Sequence, residues 1–484
     1  MIGDGMTKRK LSTALLTLLM LVTVRAADKP NVVFFLIDDL SWADLACYGS
    51  EFHETPNLDR LAKQGLRFTD AYASCPVCSP TRASVMTGKY PARLGITDWI
   101  GAGQKRLALV TPPNEAFLPP SEVTIGEAMQ QAGYKTAYFG KWHLGKQDAH
   151  HPEKQGFGYH RGVNRAGQPG SYFHPFSRGK KGDSSVPDFD AAGEGSYLTD
   201  LIADEAVKFV ESNKDKPFFA MVAHYSIHTP IQAKKEDTEK YQKKLAARGR
   251  ETAAEFRDEK GFGRTRLNQN NAALAAMVGS VDASVGRMLD KLDELGLSDK
   301  TMIIFTSDNG GLSTLQGKRV GPGCNLPLRA GKGWMYEGGI RVPLIIKLPG
   351  VTKPGSTCSV PVVSTDFYPT LLDVAGLEAR PEQHLDGVSL AGLLKGETSL
   401  EREAIFWHYP HYHGSGNRPT AAVRKGDWKL VRYYETGEEE LYHLKDDLGE
   451  AKDLAGEDSA KHRELKVSLD GWLKGVGAKM AQKP

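Results

Sequence analysis

The sequence predicts an α/β protein with a large, mostly parallel central sheet flanked by helices on both faces, plus a smaller C-terminal domain. Short continuous apolar runs, such as Asn31–Ile37, are typical of parallel strands buried on both faces. Helical patterns alternate with these runs, which favours crossover connections and a parallel sheet. Towards the C-terminus the apolar runs become shorter and are separated by turn signals, which indicates an antiparallel sheet and a terminal helix.

Composition sets the limits on function. The chain has 484 residues, with 62 Lys or Arg against 59 Asp or Glu, so its formal net charge is only +3. Because no long basic run occurs either, nucleic acid is not expected as the main ligand. The length suits one large and one smaller domain, which we place at residues 27–400 and 401–484.

The N-terminal segment has the layout of a secretory signal peptide. Lys8, Arg9 and Lys10 precede an apolar run over residues 11–24, and Ala26 closes a small-residue cleavage site. The alternatives are a buried helix or a membrane anchor, but the run is short for an anchor. We therefore expect residues 1–26 to be removed and the protein to be secreted or periplasmic. No later apolar run approaches the ~18–20 residues that span a bilayer, so no membrane span is expected.

Helix and strand signals alternate through the first half of the large domain. A helix with Pro56 in its first turn ends at Gly65 and is expected to be capped by Thr55. Thr124 and Glu127 form a capping-box pattern that opens another helix. The other elements predicted here are strands over residues 66–73, 134–139 and 218–223 and a helix over residues 197–212.

The second half begins with a highly charged stretch. We interpret residues 234–266 as a solvated helical insertion. A long helix over residues 267–295 and strands over residues 301–306 and 342–347 follow. In the C-terminal domain we predict four short strands and a helix over residues 460–474.

Polar residues follow the ends of five predicted strands, and ligands of open α/β sheets bind beyond the carboxyl ends of the strands. Their coincidence at one edge is a much stronger signal than any one of them alone. In chain order they are Asp38 and Asp39, the segment from Cys75 to Arg82, Lys141 and His143, His224 and His228, and Asp308 and Asn309.

Asp38, Asp39, Asp308 and Asn309 predict a metal site. Adjacent carboxylates repel each other unless a cation lies between them. Oxygen donors without a thiol or imidazole favour Ca²⁺ or Mg²⁺. The alternative for each pair is an Asx turn that terminates a strand, but two such pairs at the ends of parallel strands favour a metal.

Cys78 is the candidate nucleophile. If Ser79 is the N-cap of a helix that ends before Gly88, Cys78 lies at the positive helix N-terminus, where an anionic group is favoured. Arg82 adds a fixed positive charge one turn later. Cys75 and Cys78 also allow a redox or zinc interpretation, but no second pair of closely spaced cysteines exists for zinc.

Several cationic residues predict an oxyanion ester as substrate. Gathered near a divalent cation, they would form a pocket for a charged oxyanion group. His224 is set apart, because strand alternation is expected to turn it away from the edge. The cationic candidates are Arg82, Lys141, His143, His228 and Lys332.

These motifs resemble those of the type I sulfatases of the alkaline phosphatase superfamily. Cys78-Ser-Pro-Thr-Arg82 and the residues up to Gly88 resemble the first family signature, and residues 140–145 (GKWHLG) resemble the second. The segments that carry Asp38-Asp39, His228, Asp308-Asn309 and Lys332 match in order and spacing. One departure is Thr81, where Ser is commoner in the family.

The resemblance implies a specific cofactor chemistry. Cys78 would be oxidised by a separate formylglycine-generating maturation enzyme, and the hydrated aldehyde would attack sulfur, expel the alcohol and then release sulfate. Ca²⁺, rather than Mg²⁺, would be bound by Cys78 in its modified form and by Asp38, Asp39, Asp308 and Asn309. Asp308 would also take the nucleophile's proton.

The resemblance also implies roles for the cationic residues. Arg82 and Lys141 would hold the hydrate, and His143 would assist release of sulfate. Lys332 would bind the sulfate oxygens, and His228 would protonate the leaving sugar oxygen, a role suited to imidazole.

The predicted function is removal of sulfate from a sulfated sugar of an extracellular polysaccharide, with galactose- or N-acetylgalactosamine-type sugars preferred. The alternatives are a phosphonate or phosphate ester hydrolase on the same scaffold, and an unconverted pseudo-sulfatase that only binds sulfated glycans. Some of the substrate-binding candidates lie in a histidine-rich loop. The alternative to substrate binding for this loop is ordinary packing between the two domains. Besides Lys332 and His228, these candidates are Asp98, Trp99, His174, His411, His413 and Arg418.

Overall fold

A computed structural model describes residues 29–179, 182–248, 255–260 and 262–484. The predicted signal peptide, residues 1–26, lies outside the described residues. Within these ranges the strands are β1 (Asn31–Ile37), β2 (Leu66–Tyr72), β3 (Lys135–Gly140), β4 (Tyr159–Arg161), β5 (Phe218–Ala223), β6 (Phe256–Glu259), β7 (Gly263–Arg266), β8 (Thr301–Ser307), β9 (Thr314–Gln316), β10 (Arg341–Lys347), β11 (Ser356–Cys358), β12 (Val362–Val363), β13 (Ile405–Tyr409), β14 (Thr420–Lys425), β15 (Trp428–Tyr433) and β16 (Glu439–His443).

The predicted helices lie between these strands in the predicted order, and the described residues contain four additional α-helices, of which three have a single turn. They are α1 (Pro56–Gln64), α2 (Cys78–Thr87), α3 (Pro91–Leu94), α4 (Ile125–Gln131), α5 (Leu198–Ser212), α6 (Lys235–Arg248), α7 (Ala272–Glu294), α8 (Glu337–Ile340), α9 (Phe367–Val374), α10 (Ala391–Leu394) and α11 (Ser459–Gly475).

The central sheet has the strand order β11-β2-β10-β8-β1-β5-β3-β4, with β12 also paired to β2. β1 lies between the parallel neighbours β8 and β5, and every residue of these three strands is buried. The predicted mostly parallel sheet is therefore confirmed. β10 runs antiparallel to both of its neighbours. The segment between β8 and β10, residues 308–340, contains β9 and α8, and α8 leads directly into β10.

Helices cover both faces of this sheet and form two core layers. On one face α1, α5 and α7 contribute buried residues such as Leu61, Ile202 and Met277. On the other face α2, α4 and α9 contribute residues such as Met86 and Leu371. Among the described residues, α7 alone is long and apolar enough to cross a membrane by length and composition, and 72% of its most apolar stretch is buried, as in a core helix.

Two helix N-termini differ in how they are capped. The predicted capping box is present, because Thr124 Oγ1 accepts from Glu127 N and Glu127 Oε2 accepts from Thr124 N. Thr55 does not cap α1; its hydroxyl accepts from Ala46 N at 2.9 Å. Asp282 accepts from Leu58 N instead, so a residue distant in sequence supplies the cap.

In the described part of the charged insertion, which leaves out residues 249–254 and 261, only α6 is helical. α6 is followed by the hairpin of β6 and β7, which pairs with β9 in a small three-stranded sheet. Residues of β7 alternate between buried and half-buried positions, the pattern of a strand. The prediction of one helical insertion was wrong for this part because the many charged residues obscure the alternation.

The C-terminal domain consists of the antiparallel sheet β13-β14-β15-β16 and α11, as predicted. Leu465 and Leu469 of α11 pack on one face of this sheet. The other face packs against the large domain, where Lys429 is fully buried between Glu337 (2.9 Å) and Glu450 (2.8 Å). The predicted domain boundary at residue 400 falls between α10 and β13.

Candidate active site

Two neighbouring parallel strands bring the acidic residues together. β1 and β8 pair in register to their ends at Ile37 and Ser307, so the residues that follow both strands lie at one edge. Asn309 Nδ2 donates to Asp39 Oδ1 at 2.8 Å, and Asp39 N donates to Asp308 Oδ1 at 3.3 Å. The two polar pairs therefore meet as the strand order predicts.

Three oxygens of this group are buried without a hydrogen-bond partner in the described part of the chain: Asp38 Oδ1, Asp39 Oδ2 and Asn309 Oδ1. Leaving a buried polar atom unsatisfied costs about 1–3 kcal/mol, and more for a charged group. A bound cation would satisfy all three atoms at once. Carboxylate and amide oxygens are the donors that Ca²⁺ and Mg²⁺ prefer, so these residues fit a divalent cation.

Three buried cationic side chains surround the carboxylates. Lys141 Nζ lies 2.7 Å from Asp38 Oδ2, Lys332 Nζ lies 2.6 Å from Asp39 Oδ1, and Arg82 Nε lies 2.8 Å from Asp308 Oδ2. Each acid thus has one basic partner, which is the pairing that buried charges require.

The pKa values of Asp38 and Asp39 shift in opposite directions. Burial raises the pKa of the Asp38 carboxyl well above its ordinary value, because the charge of Lys141 does not cancel the loss of hydration. Burial also acts on Asp39, but there the charge of Lys332, with those of His228 and Lys141, outweighs it and holds the pKa below its ordinary value. A second positive charge beside Asp38, such as a metal ion, would favour its ionised form.

Cys78 is the first residue of α2. The predicted N-cap, Ser79, was wrong, because the N-cap is Val77 and Ser79 Oγ accepts instead from Ile100 N at 3.0 Å. Pro80 is accommodated because the first turn of a helix needs no N–H donor. Cys78 still lies at the positive helix terminus.

His143 contacts the Cys78 side chain. Cys78 Sγ lies 3.3 Å from His143 Nδ1, and His143 Nε2 lies 3.1 Å from the carbonyl oxygen of Ile100. Because a carbonyl can only accept, Nε2 carries the proton and Nδ1 is the acceptor for the group at residue 78. Burial, together with the charge of Lys141, holds the pKa of His143 well below its ordinary value, so the ring is neutral.

Cys75 has a structural role. Cys75 and Cys78 form no disulfide, and burial raises the pKa of the Cys75 thiol well above its ordinary value. The Thr81 hydroxyl donates to Cys75 O at 3.0 Å and accepts from Cys75 N at 3.2 Å. Thr81 therefore fixes the loop before α2, and a buried, un-ionised Cys75 does not favour a dithiol redox site.

His228 follows β5 and lies near Asp39. Its Nε2 is 3.8 Å from Asp39 Oδ2, and its Nδ1 is 2.9 Å from Thr229 O. Ligand atoms of Asp38, Asp39 and His228 all lie within 4.8 Å of one another, so His228 could also hold a metal, which the sequence did not indicate. Burial, together with the charge of Lys332, lowers the pKa of His228 well below its ordinary value.

His224 lies away from these residues, in line with the expectation from strand alternation. It is fully buried, and its Nε2 is 2.8 Å from Ser284 Oγ of α7.

Four of the predicted substrate-binding residues lie on two loops beside Cys78. Asp98 is buried near Cys78, burial raises its pKa to about 7, and the neighbouring Trp99 is 40% exposed. His411 is buried with its Nδ1 3.9 Å from Asp98 Oδ2. His413 lies against the segment that carries Lys332, since a Cβ added to Gly333 would be 2.2 Å from His413 Nδ1.

The other two candidates have different surroundings. His174 packs against Phe176, with ring centroids 5.6 Å apart, and its backbone N–H donates to Ser196 O. Arg418 forms an ion pair with Glu435, and its guanidinium lies 3.4 Å from the centroid of the Phe262 ring. These contacts, among the described residues, do not join either side chain to the carboxylates or Cys78.

Sequence reasoning missed three residues that shape the site. The Ile100 carbonyl orients His143, Tyr409 donates to Asp98 Oδ1 at 2.9 Å, and Lys105 donates from Nζ to Tyr412 O at 2.8 Å. A backbone carbonyl leaves no signal in a sequence. Tyr409 is distinguishable only as an aromatic residue at the end of a predicted strand, which ordinary core packing also explains.

The fold and the site are of the alkaline phosphatase superfamily type, with a carboxylate cluster that fits a divalent cation and a cysteine at a helix N-terminus. The family model described as Sulfatase matches residues 30–377, and the one described as N-sulphoglucosamine sulphohydrolase, C-terminal, matches residues 330–476. The chain belongs to the sulfatase family and is a sulfuric ester hydrolase.

Individual relatives agree with this assignment. A sulfatase of Formosa agariphila is 33% identical, over 93% of this chain and 89% of the relative. The N-acetylgalactosamine-6-sulfatase of Rattus norvegicus is 30% identical, over 82% of this chain and 72% of the relative. The crystal structure of Ps i-CgsB in complex with k-i-k-neocarrahexaose is 30% identical with a TM-score of 0.73, covering 92% of this chain and 93% of that one.

Proposed function

We propose that this chain removes sulfate from a sulfated sugar, with Cys78 oxidised to formylglycine and Ca²⁺ bound beside it. The three unpartnered buried oxygens at the ends of β1 and β8, next to Cys78, carry the proposal. Asp38, Asp39, Asp308 and Asn309 would hold the ion. Ca²⁺ is favoured over Mg²⁺ because it accepts many protein oxygens, whereas Mg²⁺ usually keeps several waters.

When bound, the cation would polarise the sulfate ester, and the oxidised side chain would supply the nucleophilic hydroxyl. The protein's own residues position these groups. His143 Nδ1 faces residue 78, since its Nε2 is occupied by Ile100 O, and would accept the proton of the second hydroxyl when sulfate is released, while Asp308 would take the proton of the attacking hydroxyl. Arg82 and Lys141 offset the negative charge of the carboxylates that face them.

Lys332 and His228 would act on the ester itself. Lys332 is buried and charged beside Asp39, and its ammonium group can hold sulfate oxygens. His228 Nδ1–H donates to Thr229 O, so Nε2 is the ring atom left to hold a proton for the leaving sugar oxygen. Burial and the charge of Lys332 lower the pKa of His228. Protonation of Nε2 is therefore expected only when the negative charge of a bound sulfate lies close to the ring.

We propose a galactose- or N-acetylgalactosamine-type sugar as the substrate. Similarity to an N-acetylgalactosamine-6-sulfatase and to a structure holding k-i-k-neocarrahexaose supports this choice. Histidine and aromatic residues near the site, among them Trp99 and His413, suit sugar hydroxyls and ring faces.

We further propose that the protein is exported to the periplasm or the medium and is matured by a formylglycine-generating enzyme. The charged start and apolar run of residues 1–26 support export. N-terminal sequencing of protein recovered from the periplasm or medium tests this, with a mature chain starting near residue 27 as the expected result. Retention of residues 1–26 in the cytoplasm would contradict it.

The function is tested by co-expressing the chain with and without a formylglycine-generating enzyme. The peptide that contains residue 78 should become ~18 Da lighter on conversion. Converted protein should release sulfate from sulfated galactose or N-acetylgalactosamine faster than it releases phosphate from matched esters. Faster phosphate release would favour the phosphate hydrolase alternative, and tight glycan binding by protein that remains a thiol would favour a pseudo-sulfatase.

A further inference from the structure

Two side-chain atoms of buried residues lie opposite each other on the loops beside Cys78. Asp98 Oδ2 and His411 Nδ1 are 3.9 Å apart, too far for a hydrogen bond. Asp98 is only 3% exposed and His411 only 4%. An acceptor atom of a buried carboxylate that faces a ring nitrogen at this distance offers a place for a polar group of a ligand.

The remaining atoms of both side chains are committed. Asp98 Oδ1 accepts from Tyr409 Oη and from Trp99 N, each at 2.9 Å. His411 Nε2 lies 2.8 Å from Thr97 Oγ1. Each side chain is therefore fixed in orientation, with one atom held by the protein and one atom available.

The backbone under the pair is also fixed. Asn114 Oδ1 accepts from Thr97 N at 2.8 Å and from Asp98 N at 3.0 Å. Lys105 donates to Tyr412 O, which ties the loop of the C-terminal domain to the loop of the large domain. A recognition site that is formed before binding loses little entropy when the ligand arrives.

The position of the pair relates it to the ester. Asp98 is close enough to Cys78 for the two side chains to interact electrostatically. Ile100, two residues later, accepts from His143 Nε2, and His413, two residues after His411, lies against Gly333 next to Lys332. Asp98 Oδ2 and His411 Nδ1 therefore lie next to the residues proposed to bind sulfate but are not among those residues.

We propose that Asp98 and His411 form a hydroxyl-recognition subsite, in which Asp98 Oδ2 accepts from a free hydroxyl of the sugar that carries the scissile sulfate. This inference rests on the proposed function. The carboxylate of Asp98 attracts a hydroxyl donor and repels a second anionic group at the same position. The enzyme should therefore select a sugar whose neighbouring position is unsubstituted over one that carries a second sulfate there.

The experiment compares Asp98→Asn with wild type at pH 8, in converted enzyme, on three substrates: an aryl sulfate, a monosulfated sugar and the same sugar with a second, neighbouring sulfate. The expected loss of kcat/KM on the monosulfated sugar exceeds the loss on the aryl sulfate by about 10–100-fold, the worth of a hydrogen bond to a charged group. The preference for the monosulfated over the disulfated sugar should shrink by a similar factor.

Glu115→Gln is the matched control, since it makes the same acid-to-amide change at a half-exposed residue whose nearest cation is Lys479 at 3.6 Å. It should leave all three rates as in wild type. Equal losses on aryl and sugar sulfates in Asp98→Asn would show that Asp98 only supports Cys78, and no loss on either would also overturn the subsite. A wild type that hydrolyses no sulfate ester would instead overturn the proposed function.

Discussion

The strand-end carboxylates and the loops beside Cys78 are built in different ways. Asp39 and Asn309 follow adjacent central strands whose register fixes them within hydrogen-bond distance. Thr97 and His411 also touch, but they are 314 positions apart and meet only because the C-terminal domain packs on the large domain. The carboxylate cluster is therefore positioned by the sheet, whereas the Asp98–His411 pair is positioned by the packing of the two domains.

The largest loss of activity is expected from a substitution at residue 78. Cys78→Ala removes the side chain that becomes the nucleophile, and kcat/KM for a sulfate ester should fall by about 10⁴-fold or more. Cys358→Ala, at a half-buried cysteine of β11, is the control and should retain wild-type activity. Comparable activity in Cys78→Ala and wild type would remove the basis for the proposed mechanism.

The packing of the C-terminal domain on the large domain, which forms the loops beside Cys78, depends on Lys429. Lys429→Met leaves Glu450 buried without its cation and leaves Arg341, at 3.1 Å, as the ion-pair partner of Glu337, so the free energy of unfolding should fall by about 3–5 kcal/mol. Urea unfolding measures this change.

Lys425→Met is the comparison for that measurement, because Lys425 is partly exposed and lies 3.5 Å from Glu403. Its expected cost is much smaller than that of Lys429→Met, because exposed ion pairs contribute little to stability. Equal destabilisation by the two variants would mean that the buried network does not hold the domains together.

Calcium binding tests the strand-end carboxylates. Asp38→Asn preserves the shape of the side chain but removes one negative charge. Changing a residue that only supports a metal ligand lowers metal affinity by up to about 100-fold. Because Asp38 would bind the ion directly, calcium affinity should fall by at least about 100-fold. Calcium titration by calorimetry measures this without reference to activity. Asp44→Asn, another acid near this edge but paired with His53 at 3.2 Å, should bind calcium nearly as wild type does.

The smallest effect is expected at Arg418. Because this side chain is paired with Glu435 and stacked on Phe262, Arg418→Ala should change KM for the sugar sulfate by less than about threefold, or roughly 0.6 kcal/mol. Steady-state kinetics on a sugar sulfate decides the matter. A tenfold rise in KM with unchanged thermal stability would place Arg418 in the substrate site after all.

These two regions also differ in how far the sequence predicts them. Asp38 and Asp308 follow apolar runs, so the sequence predicts that both lie at the carboxyl edge of a parallel sheet, and the pairing of β1 with β8 then brings them together. The pairing of Asp98 with His411 depends on how two domains dock, which no local pattern encodes. The same reason explains why the sequence does not show that Asp282, and not Thr55, caps α1 or that Arg418 pairs with Glu435.

A crystal structure of the converted protein grown with calcium is the decisive test of the proposed metal site. We expect one Ca²⁺ with oxygens of Asp38, Asp39, Asp308 and Asn309 at about 2.3–2.6 Å, and the oxidised side chain of residue 78 in the same coordination sphere. Calcium bound elsewhere, or a residue 78 side chain that does not reach the ion, would contradict it.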